Sequence, residues 1–241
     1  MNLMDTSEDY KVDRFVLVST DKAVNPTNIM GATKRVAEKL IQSKSIDSKV
    51  KYMAVRFGNV IGSSGSVIPT FQEQIRNGGP VTITNPKMQR YFMSISEAAQ
   101  LILQAGAMGS GGEVYVLDMG KPVNIKDIAY ELIRLSGLEP EKDISIEYIG
   151  SRPGEKLYEE LQTKDENILD TDHEKIFMMK NGNGNNWDHL LGRVDKIINS
   201  AKLYDVNKVM DSLKIFNPEY VPDYTNEVDW VEKTAKKIIN N

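Results

Sequence analysis

The chain has 241 residues, of which 40% are hydrophobic and 27% are charged, as in a globular protein with one large domain or two small ones. Its net charge of −4 argues against nucleic-acid binding. It has no cysteine and only two histidines, which excludes disulfides and thiolate metal sites, and we expect no bound metal.

The apolar runs are too short to cross a membrane. Phe15–Val18, one of the longest, is far below the ~20 residues that a spanning helix needs. Residues 1–14 are polar and acidic, unlike a signal peptide. We therefore expect no membrane segment and a cytoplasmic location.

Strand and helix signals alternate along the first 150 residues. A continuous apolar run predicts a buried strand over Phe15–Val18, and the helical spacing of Ile29, Val36 and Leu40 predicts a helix over residues 28–45. The same reasoning predicts strands over residues 51–57, 81–84, 113–119 and 144–149, and helices over residues 71–76, from Ser96 onward, and over residues 124–136. This alternation is typical of an α/β fold with a parallel sheet.

Other segments lack such periodicity. Residues 58–70 are rich in Gly and Ser and are predicted to form a loop. The Asn-Gly repeats of residues 181–187 predict a flexible break, and the rest of the chain is predicted to be a helical tail.

Polar residues follow the first predicted strand directly. Ser19–Lys22 leave its carboxyl end, which is where ligands bind in open parallel α/β sheets. On the following helix, Met30 and Lys34 are four residues apart and share one face. Spacing alone fits either a ligand site or a solvated loop beside a surface lysine.

A longer pattern surrounds this cluster. Residues 19–35, Ser-Thr-Asp-Lys-Ala-Val-Asn-Pro-Thr-Asn-Ile-Met-Gly-Ala-Thr-Lys-Arg, resemble the extended short-chain dehydrogenase/reductase family, and within it the UDP-N-acetylglucosamine 4,6-dehydratases of bacterial capsule and polysaccharide synthesis. Further matching motifs follow in order: Arg56-Phe57-Gly58-Asn59-Val60, Gly65-Ser66-Val67-Ile68-Pro69, Gln89-Arg90-Tyr91-Phe92-Met93, Val116-Leu117-Asp118-Met119-Gly120, Arg152-Pro153-Gly154-Glu155-Lys156 and Thr171-Asp172-His173-Glu174-Lys175-Ile176.

The resemblance covers about residues 13–180 and implies an architecture. The chain is expected to be the C-terminal portion of a Rossmann-like parallel sheet with a small substrate-binding subdomain. In this division, residues 1–180 form a partial NAD(P)-binding and UDP-sugar-binding region, and residues 181–241 form the flexible break and the helical tail.

The resemblance also implies a reaction. NAD or NADP oxidises the sugar C4 hydroxyl, an acid and a base eliminate water across C5 and C6, and the hydride returns to C6. Asp21 is then the acid and Lys22 the base, which must be deprotonated to act.

Two helix residues receive roles in the same way. Lys34 is expected to bind the nicotinamide ribose. Most of the superfamily has a tyrosine base for C4 oxidation where this chain has Met30, and a thioether has no exchangeable proton. As in the large membrane-anchored branch that also has methionine, Thr20, with Asp21, is expected to substitute, while Met30 packs.

The resemblance assigns the remaining ligand contacts. The cofactor residues are Ser19, Lys34, Phe57, Gly58, Asn59 and Val60. The UDP-sugar residues are Asn59, Ser66, Val67, Pro69, Thr84, Arg90, Arg152 and Glu155. Arg90 and Arg152 are expected to clamp the diphosphate, Glu155 to bind the ribose or orient Arg152, and His173 to brace the fold.

One expected motif does not occur. Only eighteen residues precede Ser19, and no glycine-rich turn that could grip the cofactor pyrophosphate lies among them. We therefore expect a truncated form that binds the adenine half of a dinucleotide poorly, with an unpaired edge on the strand at residues 15–18. A complementing N-terminal half or a second copy of the chain are the candidate protein partners.

Three functions stay open. The leading one is a UDP-N-acetylglucosamine 4,6-dehydratase. A nucleotide-sugar 4-epimerase is a second, although the Asp21–Lys22 pair argues against it because epimerases need no elimination acid. A non-catalytic UDP-sugar-binding fragment is the third, and the absence of the glycine-rich turn supports it.

Overall fold

The computed structural model describes residues 1–63, 65–163, 166–179 and 187–223. The helices in these ranges are α1 (Asn2–Asp9), α2 (Ile29–Lys44), α3 (Val67–Arg76), α4 (Ile95–Met108), α5 (Ile125–Leu135), α6 (Trp187–Lys202) and α7 (Val206–Phe216). The strands are β1 (Arg14–Val18), β2 (Lys51–Arg56), β3 (Asn59–Val60), β4 (Val81–Ile83), β5 (Gln89–Arg90), β6 (Phe92–Met93), β7 (Val114–Leu117), β8 (Val123–Asn124), β9 (Ile146–Tyr148), β10 (Ile168–Asp170) and β11 (Ile176–Met179).

A five-stranded sheet in the order β1-β2-β7-β11-β10 forms the centre of the molecule. β1, β2 and β7 run parallel, which confirms the predicted α/β class. β11 and β10 extend the sheet antiparallel, an addition that the apolar pattern does not predict. Within the described ranges β1 pairs only with β2 and lies at one end of the strand order.

Helix α2 covers one face of the sheet. Its apolar side, which includes Val36, Leu40 and Ile41, packs into one hydrophobic cluster with Tyr52 and Ala54 of β2. The buried residues of α6 and α7 join the same cluster: Leu190, Val194, Leu213 and Phe216. The tail is therefore helical as expected where it is described, and residues 181–186 of the predicted flexible break lie outside the described residues.

Helix α4 covers the opposite face, where Leu101 and Ala105 pack against Met53 and Val55. The prediction that Ser96 opens this helix is wrong. Ser94 is its N-cap, because the Ser94 side chain accepts a hydrogen bond from the Glu97 N–H at 3.1 Å.

A smaller unit is built from α3, α5 and three pairs of short strands, β3–β6, β4–β9 and β5–β8. It has its own hydrophobic cluster, which includes Phe71, Ile83, Ile133 and Ile144. Helix α3 begins at Val67, so the end of the loop predicted over residues 58–70 is helical. The division at residue 180 stays a prediction.

No helix in the described parts of the chain has both the length and the apolar character that crossing a bilayer requires.

Candidate active site

The catalytic candidates follow β1 in a short 3-10 helix, Asp21–Ala23. Thr20 caps this turn, since its side chain accepts a hydrogen bond from the Lys22 N–H. The Asp21 N–H donates to the Phe57 carbonyl at 3.0 Å, which carries the pairing of β1 with β2 past the strand ends. Asp21 therefore lies beside Gly58, where an added Cβ would come within 3.2 Å of Asp21 Oδ2.

Lys22 is held by several acceptors at once. Its Nζ lies 2.9 Å from Asp21 Oδ1, 3.2 Å from Asn59 Oδ1 and 3.7 Å from Glu159 Oε1. Asp21 is fully buried, and its Oδ1 also accepts a hydrogen bond from the Thr20 hydroxyl at 2.9 Å. Asp21 Oδ2 is buried and has no hydrogen-bond partner among the described residues. The acid and base assigned from the sequence are thus adjacent and largely shielded from solvent.

Sequence reasoning missed Glu159, the second carboxyl group of this cluster. Its side chain is 4% exposed, and Oε1 lies 3.8 Å from Arg90 Nε as well as near Lys22. Burial raises the pKa of Glu159, and the Asp21 carboxylate adds to the effect, while Lys22, Arg90 and Lys156 oppose it. Glu159 sits in an acidic and basic stretch that looks like ordinary surface, so no pattern in one sequence marks it.

The start of α2 packs tightly against the catalytic turn. Asn28 caps the helix by accepting a hydrogen bond from the Gly31 N–H at 2.8 Å, and a Cβ at Gly31 would lie 2.0 Å from the Lys22 carbonyl oxygen. Lys34 Nζ donates to the carbonyl of Val18 at 3.0 Å, at the end of β1. Met30 is 47% exposed and is therefore not the packed residue that we expected.

Ser19 is turned into the core. Its hydroxyl donates to Glu38 Oε1 at 2.6 Å, and the Glu38 carboxylate is bonded by the guanidinium of the fully buried Arg56 at 2.8 and 2.7 Å. Burial alone would raise the pKa of Glu38, but the charge and hydrogen bonds of Arg56 dominate and lower it. The Ser19 hydroxyl is therefore bonded within the core, and a contact of Ser19 with a cofactor stays a prediction.

The other predicted cofactor residues line the end of β2. Phe57 is buried, and Gly58 is confined by Tyr91 and Asp21. Asn59 and Val60 form β3, which pairs with β6. Of this group, Asn59 also accepts a hydrogen bond from Lys22.

A cavity of about 220 Å³ opens next to the cluster. Most of the predicted sugar-binding residues line it: Asn59, Val67, Thr84, Arg90, Arg152 and Glu155. The other two are not among its lining residues: Ser66, at the N-cap of α3, and Pro69, in the first turn of that helix. Asn59 belongs to both places, since it lines the cavity and accepts from Lys22.

Two arginines line the cavity, and Glu155 contacts both, Arg152 through its backbone N–H. Glu155 Oε1 lies 3.4 Å from Arg90 Nη2, and Glu155 Oε2 accepts a hydrogen bond from the Arg152 N–H at 3.1 Å. Of the two roles considered for Glu155, the structure shows contacts that orient Arg90 and the backbone at Arg152. Two guanidinium groups at one cavity are suited to bidentate phosphate recognition.

Two other regions are less suited to chemistry. A larger cavity of about 480 Å³ lies among α1, β1, α2 and α6, but its lining side chains carry no acid or base. His173 Nδ1 accepts a hydrogen bond from the Lys175 N–H at 3.1 Å in the turn before β11, as expected for a residue that braces the fold. The acid–base cluster with its adjoining cavity is thus the better candidate site.

Comparisons of the sequence with known proteins identify a family and several relatives. A family model described as "Polysaccharide biosynthesis protein" matches residues 1–181. The capsular polysaccharide biosynthesis protein CapD of Staphylococcus aureus is 60% identical over 180 residues, which are 74% of this chain and 30% of CapD. A UDP-glucose 4-epimerase of Rickettsia bellii is 36% identical over 168 residues, which are 68% of this chain and 48% of the epimerase. The chain therefore spans less than half the length of these two relatives.

Solved structures share the fold. The structure of Pen from Bacillus thuringiensis matches with a TM-score of 0.69 and 36% identity, over 75% of this chain and 57% of Pen. DesIV, a dTDP-glucose 4,6-dehydratase of Streptomyces venezuelae with NAD bound, matches with a TM-score of 0.60 and 20% identity, over 66% of this chain and 54% of DesIV, which shows the fold alone. DesIV thus shares the fold of this chain, and the Rickettsia bellii epimerase is a relative by sequence. Because the family model covers most of its residues, this chain belongs to the polysaccharide biosynthesis protein family.

Proposed function

We propose that the chain carries the acid–base and sugar-binding part of a UDP-N-acetylglucosamine 4,6-dehydratase, which forms a UDP-4-keto-6-deoxy sugar for polysaccharide synthesis. The observation that carries the proposal is the pair of the buried Asp21 and the partly exposed Lys22, joined through Asn59 to a cavity lined by two arginines. An elimination needs an acid and a base within reach of one sugar, and a UDP-sugar needs cations for its diphosphate.

Lys34 is the residue of this chain that we expect to contact a nicotinamide cofactor. The Lys34 ammonium is anchored to the Val18 carbonyl at the carboxyl end of β1 and keeps further donor capacity, which fits a contact with the nicotinamide ribose. DesIV, which shares this fold, contains NAD. When bound, NAD or NADP would accept a hydride from the sugar and later return it.

The chain's own residues would move the protons. The Thr20 hydroxyl donates to Asp21 Oδ1, so Thr20 is placed to pass the proton of the sugar C4 hydroxyl to that carboxylate. Asp21 then holds the proton that the departing C6 hydroxyl requires. Lys22, once deprotonated, removes the C5 proton, and its position is fixed by Asp21 and Asn59.

The first test is turnover of UDP-N-acetylglucosamine by the chain supplied with NAD(P), together with the nicotinamide content of the purified protein. We expect a product that has lost one water and gained a C6 methyl group, seen by mass spectrometry and proton NMR. Lys22→Met should abolish it, whereas Lys142→Met, which alters an exposed lysine, should not. Retained turnover in Lys22→Met would contradict the assignment of the base.

Two alternatives have their own signatures. The Rickettsia bellii relative supports an epimerase, and a product that keeps its C6 hydroxyl would favour that reaction. UDP binding with neither bound nicotinamide nor turnover would favour a UDP-sugar-binding chain that is not catalytic by itself.

A further inference from the structure

Lys22 lies between two carboxyl groups that come from different parts of the chain. Asp21 belongs to the same turn, and its Oδ1 is 2.9 Å from the ammonium nitrogen. Glu159 Oε1 approaches the same nitrogen to 3.7 Å, although Glu159 is not among the residues that line the sugar cavity. Its second oxygen, Oε2, is buried and makes no hydrogen bond to any residue that the structure describes.

The two carboxyl groups have different surroundings. Asp21 Oδ1 is shared between the Thr20 hydroxyl and Lys22, so it is already committed to both neighbours. Glu159 faces Lys22, with Arg90 at 3.8 Å as the other close cation. Asp21 and Lys156 are the remaining charged groups that act on Glu159. Both carboxyl groups have one buried oxygen without a described partner, Asp21 Oδ2 and Glu159 Oε2. In the proposed reaction Asp21 takes the proton of the sugar C4 hydroxyl, which leaves the Glu159 carboxylate to accept the proton of Lys22.

We propose that Glu159 is the proton partner of Lys22: the ammonium proton passes to the Glu159 carboxylate and leaves a neutral amine that can attack the sugar C5 proton. In this step one N–H bond of Lys22 breaks, its electron pair stays on nitrogen, and an O–H bond forms on Glu159. The proposal rests on the proposed role of Lys22 as the base. Glu159 is then a positioning residue that acts through Lys22 without touching the sugar.

Two features of the site favour this transfer. The product is a neutral pair, and the transfer removes the charge of the buried Glu159 and of the partly buried Lys22, which lowers the cost of keeping these groups away from water. Burial also raises the pKa of Glu159, so this carboxyl group takes up a proton more readily than an exposed glutamate does. The separation of 3.7 Å needs only a small approach, and catalytic contacts commonly tighten when substrate binds.

The proposal predicts a change in the pH profile of kcat. In the unsubstituted chain the proton stays inside the pair, so kcat should vary little between neutral and mildly acidic pH. In Glu159→Gln the lysine must release its proton to solvent, so kcat should fall about tenfold for each pH unit of acidification. The KM for UDP-N-acetylglucosamine should change little, and Glu160→Gln, which removes the adjacent and more exposed carboxylate, should keep the original profile.

The opposite profile would overturn the proposal. If Glu159 merely steadied the ammonium by its charge, its removal would ease deprotonation of Lys22 and raise kcat at acidic pH. An unchanged profile in Glu159→Gln would refute a proton role equally.

A titration separates this proposal from the function on which it rests. In the chain labelled with ¹³C at glutamate carboxyl carbons, the Glu159 signal is the one lost in Glu159→Gln. We expect it to titrate above the ordinary glutamate range, and Lys22→Met to raise its midpoint by at least about one pH unit, because the facing cation is gone. Lys142→Met should leave it unchanged. A Glu159 midpoint in the ordinary glutamate range, or one that does not change in Lys22→Met, would overturn the proposal even in an active enzyme. Absent turnover would refute the proposed function alone.

Discussion

Position 31 accepts only glycine because the first turn of α2 lies directly on the catalytic turn. A methyl group there would lie 2.0 Å from the Lys22 carbonyl oxygen and 3.3 Å from Pro26 Cβ. We expect Gly31→Ala to destabilise the fold by about 2 kcal/mol, since the backbone must shift, and to displace Lys22 from its acceptors.

Gly192 provides the matched control for this substitution. It lies within α6, and a Cβ there would meet nothing within 4 Å. Gly192→Ala should therefore stabilise the chain by about 0.5–1 kcal/mol, because alanine loses less backbone entropy in a helix. Urea denaturation measures both. Equal effects at the two positions would contradict the close approach described at Gly31.

Two buried glutamates should respond oppositely to the same change. Glu38 has a lowered pKa, so its ionised form stabilises the fold above the unfolded pKa of about 4.3, and this contribution disappears as pH falls below that value. Glu38→Gln should cost about 3 kcal/mol at pH 7, because the buried Arg56 loses its two charge-assisted hydrogen bonds to Glu38 and keeps only those to Glu166 among the described residues. The difference from the unsubstituted chain should shrink in acid.

Glu159 has a raised pKa, so its charge opposes folding once pH rises above about 4.3. Glu159→Gln should therefore make the chain more stable at pH 7 while impairing the proposed proton transfer. Unfolding midpoints in urea at pH 7 and pH 4 test the pair. A loss of stability in Glu159→Gln at neutral pH would show that this carboxylate serves the fold.

The sequence pointed to Asp21 and Lys22 because they follow an apolar strand and match a family motif. It could not reveal that Glu159 joins them. That contact depends on the path of the chain after β9, and a glutamate among Lys156, Tyr158 and Glu160 has no local sign of burial.

At the scale of elements, the start of α4 is set by a serine N-cap. Ser94 and Glu97 are three residues apart, and the Glu97 N–H donates to the Ser94 side chain. We expect Ser94→Ala to cost about 1 kcal/mol and Ser96→Ala to cost clearly less, since Ser96 lies inside the helix. Thermal unfolding compares the two, and a larger cost at Ser96 would restore the cap expected from the sequence.

The strands and long helices were predictable because their apolar residues repeat with the right period. Helix α2 spans Ile29–Lys44 where residues 28–45 are predicted, and β2 spans Lys51–Arg56 where residues 51–57 are predicted. The range predicted for α3, residues 71–76, was too short because Gly62, Gly65 and Ser66 suggest a loop. The helix in fact begins immediately after Ser66. The antiparallel pair β10–β11 pairs with β7, a long-range contact that local periodicity does not encode.

At the scale of the molecule, three hydrophobic clusters pack different parts of the fold. Two pack the faces of the main sheet, and the third fills the smaller unit that contributes Val67, Phe71 and Ile83 to the sugar cavity. The site therefore lies between a sheet that fixes the acid and base and a unit that shapes the ligand pocket.

This layout predicts where a ligand should protect the chain from hydrogen exchange. On addition of UDP, amides of α3, β4 and α5 should exchange more slowly, because their residues line the cavity or pack beneath it. Amides of α6 and α7, which pack on α2, should change little. Mass spectrometry of the exchanged peptides reports both. Protection confined to α6 and α7 would place the nucleotide elsewhere.

Asn59 has a consequence for how such a site can diversify. The Asn59 side chain lines the cavity and accepts a hydrogen bond from Lys22. The shape of the pocket and the orientation of the proposed base therefore depend on the same amide group. A substitution at Asn59 that reshaped the pocket for a different sugar would also release the lysine. Changes in sugar preference are therefore easiest at positions such as Thr84 and Val67, which line the cavity and have no bond to the catalytic turn in the described structure.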